Sequence, residues 1–402
     1  MTSCCQEKKD PFPSACACQE APSGWNPNVP KIRDDTSACC SGAQALKLDS
    51  PYEKPGYRLW GFVKDFLPAP ASPVPQVRSQ MSHEDRRGTL FARLGVGRDN
   101  YCITPGLYAI GTPDAQSPVM VTANYKLSFD VLRSHLAGIS AWILVVNTRG
   151  INVWCAAGKG TFSTQEVAYR VQADRLADIV THRRLILPQL SATGVSAHQV
   201  KSLCGFEIVW GPVHAKHIKE FLDTQMNATP EMRKVTFTLR ERVELIPVEL
   251  NQLGKPTLYL IPALFLLSGV GQGIFSISTA VSRGTTALMA YILAIAAGAV
   301  LAPALLPWLP GRAFAIKGAV MGAAAGTMLS AFFAGQLAWL GMLALTLFIM
   351  AVSSYLTMNF TGSTPYTSPT GVEKEMRKAI PAQAFGALAA VTLWVIAGFM
   401  GS

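Results

Sequence analysis

Cys155 lies where an apolar run ends and a short helix is expected to begin. The run AWILVV at 141–146 has the length and composition of a buried strand. A polar turn containing glycine follows it, and then a segment of small, helix-compatible residues. The dipole of a first helical turn, together with nearby Lys159, favours the thiolate form of a cysteine. The sequence therefore predicts an activated thiol at a strand-to-helix junction, the usual place for ligands in open α/β sheets.

Small residues follow this cysteine along the chain. They are Ala156, Ala157, Gly158 and Gly160, and they would let a large, flat ligand approach the backbone closely. The alternative interpretation is that a single cysteine after a strand is a small buried hydrophobic residue, which is the commoner case.

The string NVWCAAGK, from Asn152 to Lys159, resembles the cap-helix motif of the membrane-anchored corrinoid proteins that methylate mercury. The resemblance runs from about residue 55 to the C-terminus. The related corrinoid iron–sulfur protein of acetyl-CoA synthesis has a similar corrinoid-binding domain without the cysteine ligand. The resemblance implies a corrinoid (cobalamin-type) cofactor, with the Cys155 thiolate as catalytic residue and lower axial ligand of cobalt. It also implies transfer of the methyl group of methyl-Co(III) to inorganic Hg(II), which forms methylmercury.

Four loops at the carboxyl ends of predicted strands are expected to build one crevice for this cofactor. Thr122 and Asn124 could bond amide groups on the corrin rim, while later loops leave room for a nucleotide tail. Taken singly, each such residue is equally well explained as ordinary turn chemistry. The expected cofactor-binding residues are Thr122, Asn124, Asn152, Val153, Trp154, Cys155, Ala156, Ala157, Gly158, Lys159, Ser191, Gly194, Gly211 and Pro212.

Short apolar runs alternate with amphipathic segments between residues 101 and 247. This alternation predicts a parallel sheet covered on both faces, in an α/β Rossmann-like domain. No GxGxxG string occurs at a strand–helix junction, which disfavours a nicotinamide cofactor. The predicted strands are Leu107–Ile110, Val119–Ala123, Trp142–Val146, Leu185–Leu190, Phe206–Val209 and Val243–Pro247. The predicted helices are Leu127–Leu136, Thr164–Ala177, Ser196–Leu203 and Ala215–Leu222.

Composition divides the chain into three parts. Residues 1–54 predict a disordered tail, residues 55–250 the corrinoid-binding domain with an N-terminal arm, and residues 251–402 a transmembrane domain. The tail carries the cysteine sets Cys4/Cys5, Cys16/Cys18 and Cys39/Cys40. These thiols could capture a soft metal ion such as mercury, or they could do nothing. His214 and His217 are a possible metal pair, although solvated helix residues explain them better.

The last third of the chain is almost free of charge, and a membrane span needs about 20 apolar residues. About five spans are expected, or four if part of the third run is re-entrant. They are Thr257–Ser278, Thr285–Leu309, two within Gly318–Phe360 with a break near Gly335, and Ile380–Met400. Lysine and arginine cluster on one side, with only Arg283 opposite, and the first fifty residues contain no signal-peptide core. We expect a multi-pass protein of the cytoplasmic (inner) membrane with its soluble domain in the cytoplasm.

The spans predicted here contain no charge that would mark an ion pathway, so an anchor is favoured over a transporter. The formal net charge is +10, but no basic tract is interleaved with aromatic residues, which disfavours nucleic-acid binding.

The mercury-methylating family that this sequence resembles pairs with a ferredoxin-like protein carrying two [4Fe–4S] clusters, and a methyl-folate is the expected methyl source. Two rivals stay open: a methyl carrier for another acceptor, and a non-catalytic membrane protein that binds corrinoid or metal.

Overall fold

The structure is a computed structural model that describes residues 60–364, 367 and 369–400. The chain divides into two compact units. Of the described residues, 60–92 and 97–234 form the sheet unit, and 93–96 together with those from 235 onward form the helical unit. The division after Lys234 falls earlier than the boundary at residue 250 expected from composition. The predicted tail and its cysteine sets lie outside the described residues.

The sheet unit contains seven strands that form a single mixed sheet. The strands are β1 (Val63–Leu67), β2 (Val74–Val77), β3 (Gly106–Ile110), β4 (Val119–Ala123), β5 (Ala141–Val146), β6 (Arg184–Leu187) and β7 (Glu207–Trp210). Their order is β1-β2-β3-β5-β4-β6-β7. The last four strands in this order run parallel, whereas β3 is antiparallel to β5 and β1 is antiparallel to β2. Because β4 lies between β5 and β6, the chain changes its direction of travel across the sheet between β4 and β6. In open α/β sheets this is the position outside which ligands bind.

Helices cover both faces of this sheet. They are α1 (His83–Arg93), α2 (Lys126–His135), α3 (Val153–Gly158), α4 (Thr164–Ala173), α5 (Ala197–Cys204) and α6 (Ile218–Asp223). Side chains alternate along each strand, so that Leu144 packs in one apolar cluster and Ile143 in the other. The first cluster includes α4 and α5 residues and defines the α4/α5 face. The second includes α2 and α6 residues and defines the α2/α6 face.

The α/β class is confirmed, and five of the six predicted strands exist with ends shifted by at most a few residues. The expectation of a wholly parallel sheet is wrong, because β1, β2 and β3 add two antiparallel pairings at one side. The sequence analysis missed the hairpin of β1 and β2. The Rossmann-like assignment stays a prediction.

The predicted strand Val243–Pro247 is wrong, since this segment is helical. It contributes to α7 (Leu239–Val243) and α8 (Ile246–Gln252). The reason is a capping box, in which the Thr238 amide donates to the Glu241 carboxylate at 2.6 Å and the Glu241 amide donates to Thr238 Oγ1 at 3.4 Å. Pro247 then occupies the first turn of α8, where its missing N–H costs nothing.

Four charged side chains of α1 and α2 form a closed, buried ring, which we call the charge ring. Lys126 Nζ lies 2.6 Å from both Asp85 and Asp130. Arg133 lies 2.7 Å from each of the same carboxylates. Arg133 also donates to the carbonyl of Arg78, just after β2, at 2.7 Å. The two charges of each sign compensate one another, as buried ions require.

Three aromatic rings enclose the same lysine. Lys126 Nζ lies 5.1 Å from the Trp60 and Tyr101 ring centroids and 5.2 Å from that of Phe62. Cation–π attraction is stronger where water is excluded. The N-terminal arm therefore contacts the first turn of α2 through Trp60 and Phe62.

The helical unit consists mainly of long apolar helices. The longer ones are α9 (Gly254–Ser268), α10 (Ile277–Ile295), α12 (Phe314–Phe332), α13 (Trp339–Asn359) and α14 (Pro369–Met400), and the short α11 (Ala302–Ala304) follows α10. A two-stranded ribbon of β8 (Val270–Gly271) and β9 (Ile274–Phe275) follows α9. Four described helical stretches are long and apolar enough to cross a membrane: Ile277–Ala304, Phe314–Phe332, Trp339–Gly362 and Thr370–Met400. The first predicted span, Thr257–Ser278, overlaps α9, which has only 15 residues. The break between α12 and α13 includes Gly335, where it is expected.

Small residues bring α12 and α13 into close contact. A Cβ added at Gly318 would lie 2.6 Å from the Ser353 carbonyl oxygen, and one at Gly322 would lie 2.7 Å from the Met350 Cα. At Gly326 the nearest atom would be the Thr346 Cα, at 2.9 Å. The spacing of four places all three glycines on one side of α12, as in membrane helix pairs.

Arg283 lies inside α10, where the sequence analysis placed it in a loop before the span. The helix begins earlier than predicted because Ser276 caps it, accepting from the Thr279 amide at 3.4 Å. The guanidinium donates to the carbonyl of Trp394 in α14 and lies 4.4 Å from that ring's centroid. It also donates to the carbonyl of Ser268 at 3.4 Å. The expectation that no span contains a charge is therefore wrong, although this charge is bonded within the helical unit.

Candidate functional site around Cys155

Cys155 occupies the first turn of α3, directly after the loop that follows β5. Asn152 caps this helix, and its side-chain oxygen accepts from the Cys155 amide at 2.9 Å. The cap fixes the backbone of the cysteine and satisfies an N–H that a short helix would otherwise leave unpaired. The thiol is half-buried. The predicted strand-to-helix junction is confirmed.

A single buried oxygen organises the loop before α3. Asn124, at the carboxyl end of β4 and 1% exposed, accepts with Oδ1 from the Thr148 amide at 3.0 Å, the Thr148 hydroxyl at 2.8 Å and the Gly150 amide at 2.9 Å. The loop needs this support because Arg149 and Gly150 both have positive φ, of 57° and 72°. A non-glycine residue there is disfavoured unless its surroundings hold it.

A second buried side chain holds the start of the same loop. Glu166 of α4 accepts from the Asn147 amide at 2.7 Å and pairs with Arg170 at 3.3 Å. Burial raises the pKa of Glu166, and the charge of Arg170 opposes the rise. The sequence analysis missed this residue, although Ser163 and Glu166 have capping-box spacing. Only half of the box forms, because the carboxylate bonds the neighbouring loop instead of its own helix start.

The short helix has an inward and an outward side. Ala156 and Ala157 are buried in the cluster on the α4/α5 face, so their side chains pack inward. Gly158 and Gly160 are exposed, and a Cβ added at either would meet nothing within 4 Å. At helical spacing, Gly158 shares the outward side with Cys155 one turn earlier. A thiol beside open space fits a flat macrocycle that approaches the helix face-on.

Other expected ligand residues of α3 are also partly accessible. Val153 and Trp154 are half-buried, and Lys159 is an exposed residue at the end of the helix. Thr122 does not join this group. It is buried in β4 and alternates with Val121 and Ala123, which belong to the α4/α5 face that α3 covers.

The loop after β6 packs against the buried side of α3, at Ala157. A Cβ on Gly194 would lie 2.4 Å from the Phe162 carbonyl oxygen and 2.9 Å from the Ala157 Cα, so glycine is needed for this contact. Ser191 is fully buried and donates to the Pro188 carbonyl at 2.8 Å. After β7, Gly211 and Pro212 are buried as well, and the Gly211 amide donates to the Leu187 carbonyl at 2.8 Å. Gly194, Ser191 and Gly211 thus make contacts within the protein at the place where a nucleotide tail is expected. The cofactor contacts of these residues and of Pro212 stay predictions.

No group of three or more His, Cys, Asp or Glu side chains could hold a metal ion within the described ranges. His214 and His217 lie with ring centroids 6.5 Å apart, and His217 is 3.5 Å from Glu220. The described cysteines are Cys102, Cys155 and Cys204. Burial raises the pKa of the Cys204 thiol.

Comparison with known proteins matches the segment that carries this site. A protein-family profile described as CO dehydrogenase/acetyl-CoA synthase delta subunit matches residues 98–222. The acetyl-CoA decarbonylase/synthase complex subunit gamma of Archaeoglobus fulgidus is 32% identical over 123 residues, which is 30% of this chain and 26% of that protein. The subunit of the same name from Methanopyrus kandleri is 32% identical over 125 residues, or 31% and 27% of the two chains. Subunit gamma 2 of Methanosarcina mazei is 36% identical over 99 residues, or 24% and 21%. The chain therefore spans about a quarter of the length of these relatives. The segment that matches the family profile, residues 98–222, falls within the sheet unit.

Proposed function

We propose that this protein is a corrinoid-dependent methyltransferase that transfers a methyl group to inorganic Hg(II) and forms methylmercury. The observation that carries the proposal is the half-buried Cys155 thiol, held by a capped helix beside open space. Members of the corrinoid iron–sulfur protein family bind a corrinoid cofactor, and the segment similar to acetyl-CoA synthase subunits includes this helix. The choice of Hg(II) as acceptor rests on the resemblance of the NVWCAAGK string to the cap-helix motif of the mercury-methylating proteins.

In this proposal the bound corrinoid supplies the cobalt that carries the methyl group, and the protein tunes that metal. Cys155 would hold the cobalt through its thiolate sulfur, and electron donation from that sulfur would favour transfer of the methyl group with its bonding electrons. Asn152 orients the cysteine backbone, and Asn124 holds the preceding loop. The open side at Gly158 admits the ring. These residues keep the sulfur in place rather than react themselves.

The proposed partners supply the electrons and the methyl groups that each methyl-transfer cycle would consume. A cofactor that gave up a methyl group with its bonding electrons would need two electrons from outside before it could accept another. No cluster-binding set of cysteines is present in the described part of the chain. We therefore assign reduction to a ferredoxin-like [4Fe–4S] protein and the methyl supply to a methyl-folate route. The apolar helices of the helical unit would anchor the protein in the cytoplasmic membrane, with the sheet unit in the cytoplasm.

The test compares wild type with Cys155→Ala after loading with corrinoid. We expect both proteins to bind the cofactor, while only wild type gives the absorption and EPR signature of sulfur-ligated cobalt and forms methylmercury. Cys204→Ala is the matched control, because its thiol donates to the Val200 carbonyl within α5 at 3.2 Å. Unchanged spectra and unchanged methylation in Cys155→Ala would overturn the role of the sulfur.

The second candidate is a methyl carrier for another acceptor, and the similarity to acetyl-CoA decarbonylase/synthase subunits favours it. In the same assay such a protein would take up a methyl group and give no methylmercury. It would instead deliver the methyl group to a metal-cluster acceptor. A protein that binds corrinoid and delivers to neither acceptor would be a non-catalytic binding protein.

A further inference from the structure

A cavity lies at the edge of the sheet opposite Cys155. Its volume is about 410 Å³, and its lining includes Val119, the first residue of β4, and Arg184, the first residue of β6. Cys155 follows the carboxyl end of β5, which runs parallel to β4. The cavity is therefore at the amino ends of the parallel strands, away from the site described above. Its size is within the range of small-molecule sites.

The wall of the cavity is apolar. Val119 and Ile186 contribute from the strands, and Leu222 and Met226 contribute from α6 and the turn after it. Val119 and Ile186 are buried, so this wall is part of the sheet's own core and keeps its shape. It offers a surface for the hydrocarbon part of a ligand.

Two cationic side chains also line this cavity. Arg184 and Lys219 both line it, and no ion pair to either is present in the described part of the protein. Glu207, the carboxylate whose pKa Arg184 helps to lower, is already 2.6 Å from Lys201. Asp223 is the single carboxylate of the lining, so the local charge is positive.

The start of β6 is held in place by a histidine of the lining. The Arg184 amide donates to His182 Nδ1 at 3.3 Å, so the proton is on Nε2, which lies 2.8 Å from the Ser117 carbonyl. Both ring nitrogens are thus used in fixing the backbone that carries Arg184. The ring nitrogens are therefore not available to a ligand, and Arg184 and Lys219 are the cationic side chains of the lining.

We propose that this cavity binds a small organic anion. The hydrocarbon part of the ligand packs on Val119, Ile186 and Leu222, and its acidic group bonds to Arg184 and Lys219. Hydrogen bonds from a guanidinium and an ammonium to one acidic group are charge-assisted and therefore strong. Asp223 opposes a second negative charge and so favours ligands with a compact acidic group.

The probe is phenyl phosphate, titrated calorimetrically into the full-length protein in nanodiscs, with empty nanodiscs as the blank. We expect saturable binding at one site per chain. Arg184→Gln and Lys219→Gln should each raise Kd by about tenfold. Asp223→Asn should lower Kd, because it removes the opposing charge. Lys201→Gln is the matched control, since that exposed lysine is paired with Glu207 outside the lining, and it should change nothing.

Inorganic phosphate forms the second arm of the test. It should bind more weakly than phenyl phosphate, because it leaves the apolar wall uncovered. Three results would each overturn the proposal: no saturable binding of phenyl phosphate by wild type, equal effects of the Arg184 and Lys201 substitutions, or equal affinity for the two phosphates. Circular dichroism of each variant identifies any that fails to fold, and Asp223→Asn then supplies an independent arm whose expected change has the opposite sign.

Discussion

At the scale of single residues, the amide oxygen of Asn124 determines how the loop before Cys155 is held. Three donors from two residues meet on one buried acceptor atom. A leucine at this position would fill a similar volume and accept no hydrogen bond. It would leave buried N–H groups unpaired, and each such group costs about 1–3 kcal/mol.

We expect Asn124→Leu to loosen the loop without abolishing the sheet. Hydrogen exchange followed by mass spectrometry should show faster exchange in peptides covering residues 147–155, and the free energy of unfolding should fall by about 3 kcal/mol. Asn147→Ala is the control, because its exposed side chain accepts only from the Arg149 amide at 3.0 Å. Equal exchange in the two variants would contradict the central role of Asn124.

Sequence pointed to Asn124 because it follows an apolar run, and to Cys155 and Asn152 because they belong to the NVWCAAGK string. It assigned Asn124 to a bound ring, whereas its oxygen is engaged inside the protein. Glu166 was not identified, because its partner Asn147 is 19 residues away and only the fold brings them together. Spacing reveals contacts along one element, and it carries no information about contacts between elements.

At the scale of elements, α3 is so short that its cap contributes much of its order. Asn152→Ala should cost about 1 kcal/mol and let the first turn fray, with faster amide exchange at Cys155. Ser163→Ala is a matched control, because Ser163 caps α4 by accepting from the Glu166 amide at 3.2 Å. It should destabilise α4 by a similar amount and leave the accessibility of the Cys155 thiol to a maleimide reagent unchanged. If the Cys155 thiol of Asn152→Ala reacted with maleimide at the same rate as in wild type, the cap would not be what positions it.

The charge ring gives a second prediction for this scale. Burial acts to raise the pKa of Asp85, but the hydrogen bond and charge of Lys126 outweigh it and hold that pKa well below its ordinary value of 3.8. Since the folded-state pKa is the lower one, ionised Asp85 stabilises the fold above about pH 4, and this contribution is lost as the pH falls below that value.

Asp85→Asn should therefore destabilise the protein by about 3–5 kcal/mol near neutral pH, because two buried cations lose one of their partners. The difference from wild type should shrink as the medium is acidified through the range in which Asp85 of the unfolded chain becomes protonated. Urea unfolding at several pH values measures it. A difference that stayed constant with pH would mean that the ionised form of Asp85 is not what stabilises the ring.

At the scale of the whole molecule, composition separated an α/β part from an apolar helical part correctly. A strand was wrongly predicted at Val243–Pro247 because α7 and α8 contain alternating apolar and charged residues, which also fit strands. The capping box at Thr238 was the overlooked local signal. The mixed sheet could not be foreseen, because the pairing of β3 with β5 depends on contacts distant in sequence.

Close approach of α12 to α13 makes a prediction about the helical unit. Gly322→Ala places a methyl group against the Met350 backbone, 2.7 Å from its Cα, so the helices must separate slightly. We expect a loss of about 1–3 kcal/mol, measured as a lower midpoint of thermal unfolding in detergent. Gly254→Ala, with nothing within 4 Å of its Cβ, should be neutral or stabilising. A smaller effect at Gly322 than at Gly254 would contradict the contact.

The bond from Arg283 to the Trp394 carbonyl also has a consequence for the order of events during synthesis. The arginine belongs to α10, and its acceptor and aromatic partner belong to α14, more than a hundred residues later. A ribosome adding roughly 5–20 residues per second needs several seconds to make the intervening chain. During that interval the guanidinium must stay hydrated or find temporary partners. The helical unit can therefore be completed only after α14 has been synthesised. A chaperone or insertase could act on α10 during that interval.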